Sequence, residues 1–317
     1  MIGNGFDLSC GMKTKYCQVY KEYTKTKSDS DLITEFKNTI RNDYERWADF
    51  ELAMAKHAAS FKNESDFNDC VDDFNSFLVG YLENEEKKFF DTISEKEVIK
   101  SINEEVNESI NTYFEGISDN ISWLLKDKKT GISFISFNYT TTLDRLLNKA
   151  FGFPIIVHHI HGKLGSIAIG ADNIDQCEVA FPITDSFKRH FIKPFFNQKF
   201  DERRMVKAIE MIEMADSICT YGLSLGETDL TWRKKIINWL SENENHQLII
   251  YDYKLSKMSY KTTANRMDIE EEALKNKLCE WGVDNVEDYI DQIHIVCGRD
   301  IFNIEEVVET TINNKTE

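Results

Sequence analysis

Between Lys13 and Gly131 the chain contains no proline, and Gly80 and Gly116 are the only glycines. A run without helix breakers, carrying apolar side chains at helical spacing, has few alternatives to a succession of helices. Phe67, Val71, Phe74, Phe77, Leu78 and Tyr81 show that spacing, with charged residues on the other face. Residues from about 14 to 128 are therefore expected to be almost wholly helical. The Phe stripe reads as packing between helices rather than as an aromatic binding box.

From Gly131 onward the texture changes to short apolar runs separated by amphipathic stretches. Ile132–Phe137, Pro154–Ile160, Ser217–Tyr221, Gln247–Tyr251 and Gln292–Val296 read as strands. Helices are expected near 140–150, 185–215, 228–242 and 266–280. Apolar strands alternating with helices point to an α/β fold, a mostly parallel sheet covered by helices on both faces. The helical run then becomes a large insertion or cap, residues 28–128, in a core built from 1–27 and 129–317. The polar tail after Glu309 is expected to fray.

The chain has 317 residues, with 55 Asp+Glu against 38 Lys+Arg, a net charge of -17. That balance argues against direct binding of duplex DNA, which requires a basic surface. It does not exclude a small anionic ligand held by a local glycine loop. The 7 cysteines are odd in number and form no C-x-x-C pair, so neither a disulfide framework nor a zinc ribbon is expected. No apolar run reaches the roughly 20 residues that cross a bilayer. With no signal peptide in the first residues, a reduced, soluble, cytoplasmic protein is expected, with no membrane association.

Open parallel sheets bind ligands at the carboxyl ends of their strands. Four such places carry unusual residues. Gly3-Asn4-Gly5-Phe6-Asp7 could turn backbone amides toward a phosphate, although a plain turn is the default for G-x-G alone. Such a loop follows a strand, so either the first strand is very short or the natural start lies upstream. Asn138-Tyr139-Thr140 follows a strand and could simply cap a helix. His158-His159-Ile160-His161-Gly162 ends another, with His159 and His161 on one face and His158 on the other by alternation. Gly222-Leu223-Ser224 precedes a helix that Thr228 or Asp229 could cap, and Asp252, at the end of the next strand, could take ribose hydroxyls or form a turn. His159 and His161, with Asp172 beyond them, have the spacing of metal ligands. A strand histidine pair is more often structural, and no metal is expected.

Taken in order, Gly3-Asn4-Gly5-Phe6-Asp7-Leu8, Trp47 with Asp49-Phe50-Glu51, Phe137-Asn138-Tyr139-Thr140, Ile160-His161-Gly162 and Gly222-Leu223-Ser224-Leu225 resemble the bacteriophage abortive-infection AbiH family. That family is in turn similar to the sirtuin-like, Rossmann-like NAD-binding fold. Gly11-Met12-Lys13 stands where that fold has Gly-Ile-Pro, without the proline or the following arginine. The resemblance implies an NAD site with NAD as substrate. His161 would be the base on a ribose hydroxyl, Asn138 would position ribose or water, and Gly3, Asn4 and Gly5 would hold the pyrophosphate. Phe6, Asp7, Thr14, Tyr139 and Thr140 would add contacts to the cofactor, as would Gly162, Gly222, Ser224 and Asp252. Sirtuin-like deacylases carry a four-cysteine zinc module that this chain has no means to build, so hydrolysis of the nicotinamide–ribose bond is the expected activity. The alternatives are a nucleotide-binding sensor without hydrolysis and a metal-dependent phosphodiesterase built on the histidines. Because an NAD hydrolase endangers its own cell, control is expected through a homo-oligomer, a defence-system partner or a phage-derived trigger acting on the helical block.

Overall fold

Among the described residues, five short parallel strands organise the molecule. A computed structural model describes residues 1–115, 131–151, 154–200, 202–251, 263–283, 286–296 and 302–315. The amino-terminal helices are α1 (Gly5–Ser9), α2 (Tyr16–Tyr23), α3 (Asp31–Asn42), α4 (Phe50–His57), α5 (Glu64–Thr92) and α6 (Lys96–Glu115). Then come β1 (Phe134–Ser136), α7 (Thr142–Phe151), β2 (Val157–His159) and a small hairpin, β3 (Gly162–Lys163) with β4 (Ser166–Ile167). Next are α8 (Asp185–Phe191), α9 (Lys193–Phe200), α10 (Glu202–Glu213), β5 (Ser217–Thr220), α11 (Leu230–Glu242) and β6 (Gln247–Tyr251). The last elements are α12 (Thr263–Glu280), β7 (Ile293–Val296) and α13 (Ile304–Asn313). The chain is thus a mixed α/β protein, mostly helical, with short and mostly parallel sheets.

Pairing explains where the ligand loops lie. β1 pairs with β2, and β6 lies between β5 and β7, all parallel. Ile2 forms parallel bridges to both Ser136 and Tyr221, so the amino-terminal segment runs between the two sheets as a minimal strand. Its amide donates to the Ile135 carbonyl at 2.8 Å, and its own carbonyl accepts from the Phe137 amide at 2.9 Å. All five residues of β6 are buried, as a strand with neighbours on both edges requires. The carboxyl ends of Ile2, β1, β2 and β5 therefore open toward the same side, where Gly3, Asn138, His161 and Gly222 follow them.

The helical run divides between two cores. α2 to α5 enclose an aromatic cluster around Tyr20, Trp47, Phe50 and Phe74, which also takes in Phe187 and Phe191 of α8. Phe50 and Phe74 stack with centroids 3.8 Å apart. The end of α5 and α6 instead pack on the sheet, joining Phe6, Leu146, Ile249 and Ile304 in a second cluster. A third core, around Trp232, Trp239, Leu248 and Leu278, covers the remaining side. The Phe stripe is thus helix packing. Capping follows the sequence: Asp49 Oδ1 accepts from the Leu52 amide at 3.1 Å and so starts α4, placing Glu51 in its first turn. Among the described residues no helix is long and apolar enough to cross a membrane. The hairpin β3–β4 has no signal in apolar patterning, because neither of its strands is long enough to show one.

Candidate functional site

A cavity of about 340 Å3 opens at these strand ends, and its lining includes Gly3, Asn4, Asp7, Thr14, Asn138, Tyr139, Thr140, His161, Gly222 and Ser224. That size falls at the lower end of small-molecule sites. Residues separated by more than two hundred positions meet here because the loops they occupy follow adjacent parallel strands.

The glycines are there for backbone approach. A Cβ on Gly3 would lie 2.4 Å from the Gly222 carbonyl oxygen, and one on Gly5 would lie 2.4 Å from the Gly222 Cα. Gly222 itself has φ +61, a left-handed conformation that glycine adopts without strain. Gly5→Ala is therefore expected to destabilise the fold by about 1–3 kcal/mol through overpacking, measured by urea unfolding; an unchanged midpoint would show that the two loops separate freely. The expected phosphate cradle is altered by the same packing. The Gly3 amide donates to Tyr221 O at 2.9 Å and the Gly5 amide to Gly222 O at 3.0 Å. Neither is available to a phosphate, because strand pairing and loop packing have taken both. Gly5 itself does not line the cavity. The next loop carries its own tension: Leu225 holds φ 50, and the Arg233 guanidinium donates to its carbonyl at 2.8 Å.

On one side of the cavity Asn4 and Thr14 lock each other, with Thr14 Oγ1 donating to Asn4 Oδ1 at 2.5 Å and Asn4 Nδ2 to Thr14 O at 3.1 Å. Thr140 Oγ1 donates to Asp7 Oδ2 at 2.7 Å, while Asp7 Oδ1 is buried without a partner. Burial pushes the Asp7 carboxyl up to about 7, with the Glu86 charge adding to the rise and the hydrogen bonds from Thr140 and Asn138 opposing it. Asn138 Nδ2 donates to Gly3 O at 3.1 Å, which ties the β1 loop to the glycine loop.

The other side holds a charge cluster. His161 Nε2 lies 3.1 Å from Asp229 Oδ1. Lys193 Nζ lies 2.7 Å from Glu51 Oε2 and 3.7 Å from Asp229 Oδ1, and it donates to Thr228 O at 3.1 Å. Glu51 Oε1 accepts from the Gly170 amide at 3.2 Å and from Tyr139 Oη at 3.4 Å. Burial drives Glu51 up to about 7; Lys193 pulls against it, while Asp49 and Asp229 add to the rise. Burial would raise Asp229 as well, but the Lys193 charge and the His161 hydrogen bond prevail and hold it at about 2. Burial works against the Lys193 ammonium, yet Glu51 and Asp229 keep it above the ordinary lysine value. His161 is pushed below the ordinary histidine value, by burial first and then by Lys193, with Asp229 opposing.

A neutral His161 beside an ionised Asp229 has one tautomer that satisfies both. The carboxylate can only accept, so Nε2 carries the proton and Nδ1 presents its lone pair. Nδ1 is buried and has no protein partner. The arrangement offers an imidazole lone pair oriented by a carboxylate, in a cleft with an amide side chain and several hydroxyls nearby.

Several expected site residues have other tasks. Phe6 is fully buried and packs edge-on against Phe302, with centroids 5.3 Å apart, because its place in α1 turns it into the core. Gly162 is required by the β3–β4 turn: it has φ +84, and a Cβ would lie 2.0 Å from Ser166 O. It does not line the cavity. Asp252 lies outside the described residues. Both ring nitrogens of His159 are engaged, Nδ1 with Asn138 O and Nε2 with Asp144 Oδ2, each at 2.8 Å. His158 Nε2 bonds Arg204 O at 2.6 Å. Asp172 accepts from the amide and hydroxyl of Thr231, both at 3.0 Å. These three residues are tied to protein groups, and among the described residues no three His, Cys, Asp or Glu side chains form a metal site. Sequence reasoning passed over the roles of Glu51, Lys193 and Asp229. Asp229 read only as a helix cap, and Lys193 gave no signal at all.

The two carboxyls raised to about 7, Asp7 and Glu51, set a pH dependence. A group whose folded pKa exceeds its unfolded value contributes stability that is present below the unfolded pKa and is lost as pH rises through the folded one. For Asp7, with a folded value of about 7, wild type is expected to lose about 2 kcal/mol relative to Asp7→Asn between pH 5.5 and 7.5. Urea unfolding of both proteins at the two pH values checks this. A constant difference between them would mean that Asp7 titrates normally.

A family model described as "Bacteriophage abortive infection AbiH" matches residues 1–253 of the chain. No curated protein and no solved structure matches it.

Proposed function

The chain belongs to the AbiH family of bacteriophage abortive infection proteins, and from that premise we propose that it is a defence effector that hydrolyses NAD at the nicotinamide–ribose bond. The observation that carries this reading is His161 Nδ1, buried, unpartnered and oriented through Asp229, in one cleft with Asn138 and the glycine loop. The parallel segments meeting at Ile2 support a Rossmann-like, sirtuin-like sheet, with residues 28–128 as an insertion.

The chemistry suits such a site. Nicotinamide is cationic while bonded to the ribose, so the electron pair of the C–N bond returns to the ring nitrogen and the base leaves neutral, without a general acid. An oxocarbenium-like ribose remains, as in glycoside cleavage. His161 Nδ1 accepts a hydrogen bond from a ribose hydroxyl and strengthens electron donation toward the anomeric carbon. Asn138 orients the ribose or the attacking water. Water adds to that carbon and loses a proton to solvent, giving ADP-ribose and nicotinamide.

Control through the helical block is part of this reading. α5 touches both cofactor-facing loops: Glu85 Oε2 accepts from the Lys13 amide at 3.0 Å, and Glu86 Oε1 from the Thr141 amide at 2.7 Å. A trigger or a second copy that shifts α5 would displace both loops together, and small displacements of reacting groups cost on the order of 100-fold in rate.

The test is incubation of the pure protein with NAD, alone and with phage lysate, followed by chromatography for nicotinamide. Release of nicotinamide and ADP-ribose in equal amounts is expected. NAD that binds and stays intact under both conditions would replace this reading with that of a nucleotide-binding sensor.

A further inference from the structure

The charge balance of the cleft leaves two acids, Asp7 and Asp49, without a counter-charge. Asp7, Asp49, Glu51 and Asp229 line it against a single lysine, Lys193. That lysine is already engaged by Glu51 and Asp229. Asp7 sits within the glycine loop and is only 2% exposed. Oδ2 takes the Thr140 hydroxyl, and Oδ1 is buried with no protein partner. With the Gly3 and Gly5 amides consumed inside the protein, the loop has lost two of the donors that an anionic ligand would use.

We propose that Asp7 serves the cleft as a neutral carboxylic acid, donating a hydrogen bond from Oδ1 to an anionic oxygen of the pyrophosphate of a bound nucleotide. This rests on the reading of the cleft as a nucleotide site. An ionised Asp7 would repel a pyrophosphate at close range, whereas the protonated carboxyl supplies a donor in place of the amides that the fold has used. Its surroundings favour that form. Glu86 of α5 faces it with a negative charge, Cys10 of its own turn contributes a thiol, and Asn138 and Thr140 reach it from the loop after β1. Among the described residues no Lys, Arg or His stands within ion-pair distance of it. The carboxyl, with burial raising it to about 7, is available in neutral form near neutral pH, and a bound anion favours that form further.

Calorimetric titration of the full chain with ADP-ribose, for wild type and Asp7→Asn, tests this at pH 6 and pH 8. Wild-type affinity is expected to fall about ten-fold between the two pH values, as a required proton with a pKa of about 7 dictates. Asp7→Asn, a permanent neutral donor, is expected to bind at both with only the weaker pH dependence that Glu51, raised to about 7 in the same cleft, imparts. Wild-type affinity that ignores pH, or loss of binding in Asp7→Asn, overturns the proposal. An infrared difference spectrum of wild type minus Asp7→Asn in the ADP-ribose complex provides an independent readout. A protonated-carboxyl band supports the proposal, and a carboxylate band alone overturns it. ADP-ribose bound with this pH dependence by a protein that leaves NAD intact would overturn the hydrolysis and keep the Asp7 role. A wild type that binds no ADP-ribose at either pH would overturn both.

Discussion

His161→Ala is expected to lower NAD cleavage by about 10^2- to 10^4-fold, the contribution of a positioned base. The effect should fall on kcat more than on KM, because the imidazole acts on the reacting ribose while other residues hold the rest of the nucleotide. Asp229→Asn is expected to cost nearly as much, for a different reason. An ionised Asp229 can only accept from Nε2 at 3.1 Å, whereas an amide can also donate to it. The donor arrangement moves the imidazole proton to Nδ1 and removes the base. Nicotinamide release measured for both variants, with circular dichroism to verify folding, decides the matter. Full activity in His161→Ala would place the chemistry elsewhere or assign it to a contaminant.

Lys193→Met is expected to destabilise the protein by about 3–5 kcal/mol at pH 8, the cost of leaving buried carboxylates without their counter-ion. Lys193 neutralises Glu51 at 2.7 Å and stands 3.7 Å from Asp229. The loss should shrink toward pH 6, because Glu51, already raised to about 7, takes up a proton and no longer needs the ammonium. Glu51→Gln should cost less at pH 8, since the Lys193–Asp229 pair survives it. Denaturant midpoints of the two variants across that pH range test the ordering. A loss of under about 1 kcal/mol in Lys193→Met would mean that water reaches the cluster and screens it.

Much of the architecture was already written in the order of residues. The helices up to Glu115 follow from the absence of breakers and the spacing of Phe67, Phe74 and Leu78, which are local properties; the rest of that run, 116–128, lies outside the described residues. The segments around Phe134, Val157, Ser217, Gln247 and Ile293 read as strands because short apolar runs between polar stretches have little other use. The glycine loop, Asn138, His161 and Gly222 were legible as a set because each follows a strand, and the carboxyl ends of parallel strands share one side. Tertiary structure alone decided which groups meet across that side. His161 and Asp229 are 68 residues apart, and Glu51 and Lys193 are 142 apart. No periodicity encodes such pairings, because they depend on how α4, α9 and the loop before α11 dock. The same docking consumed the Gly3 and Gly5 amides, turned Phe6 into the core and left Asp7 Oδ1 without a partner. Secondary structure is set by short-range geometry and patterning, whereas the charge state of a buried site is set by its neighbours in space.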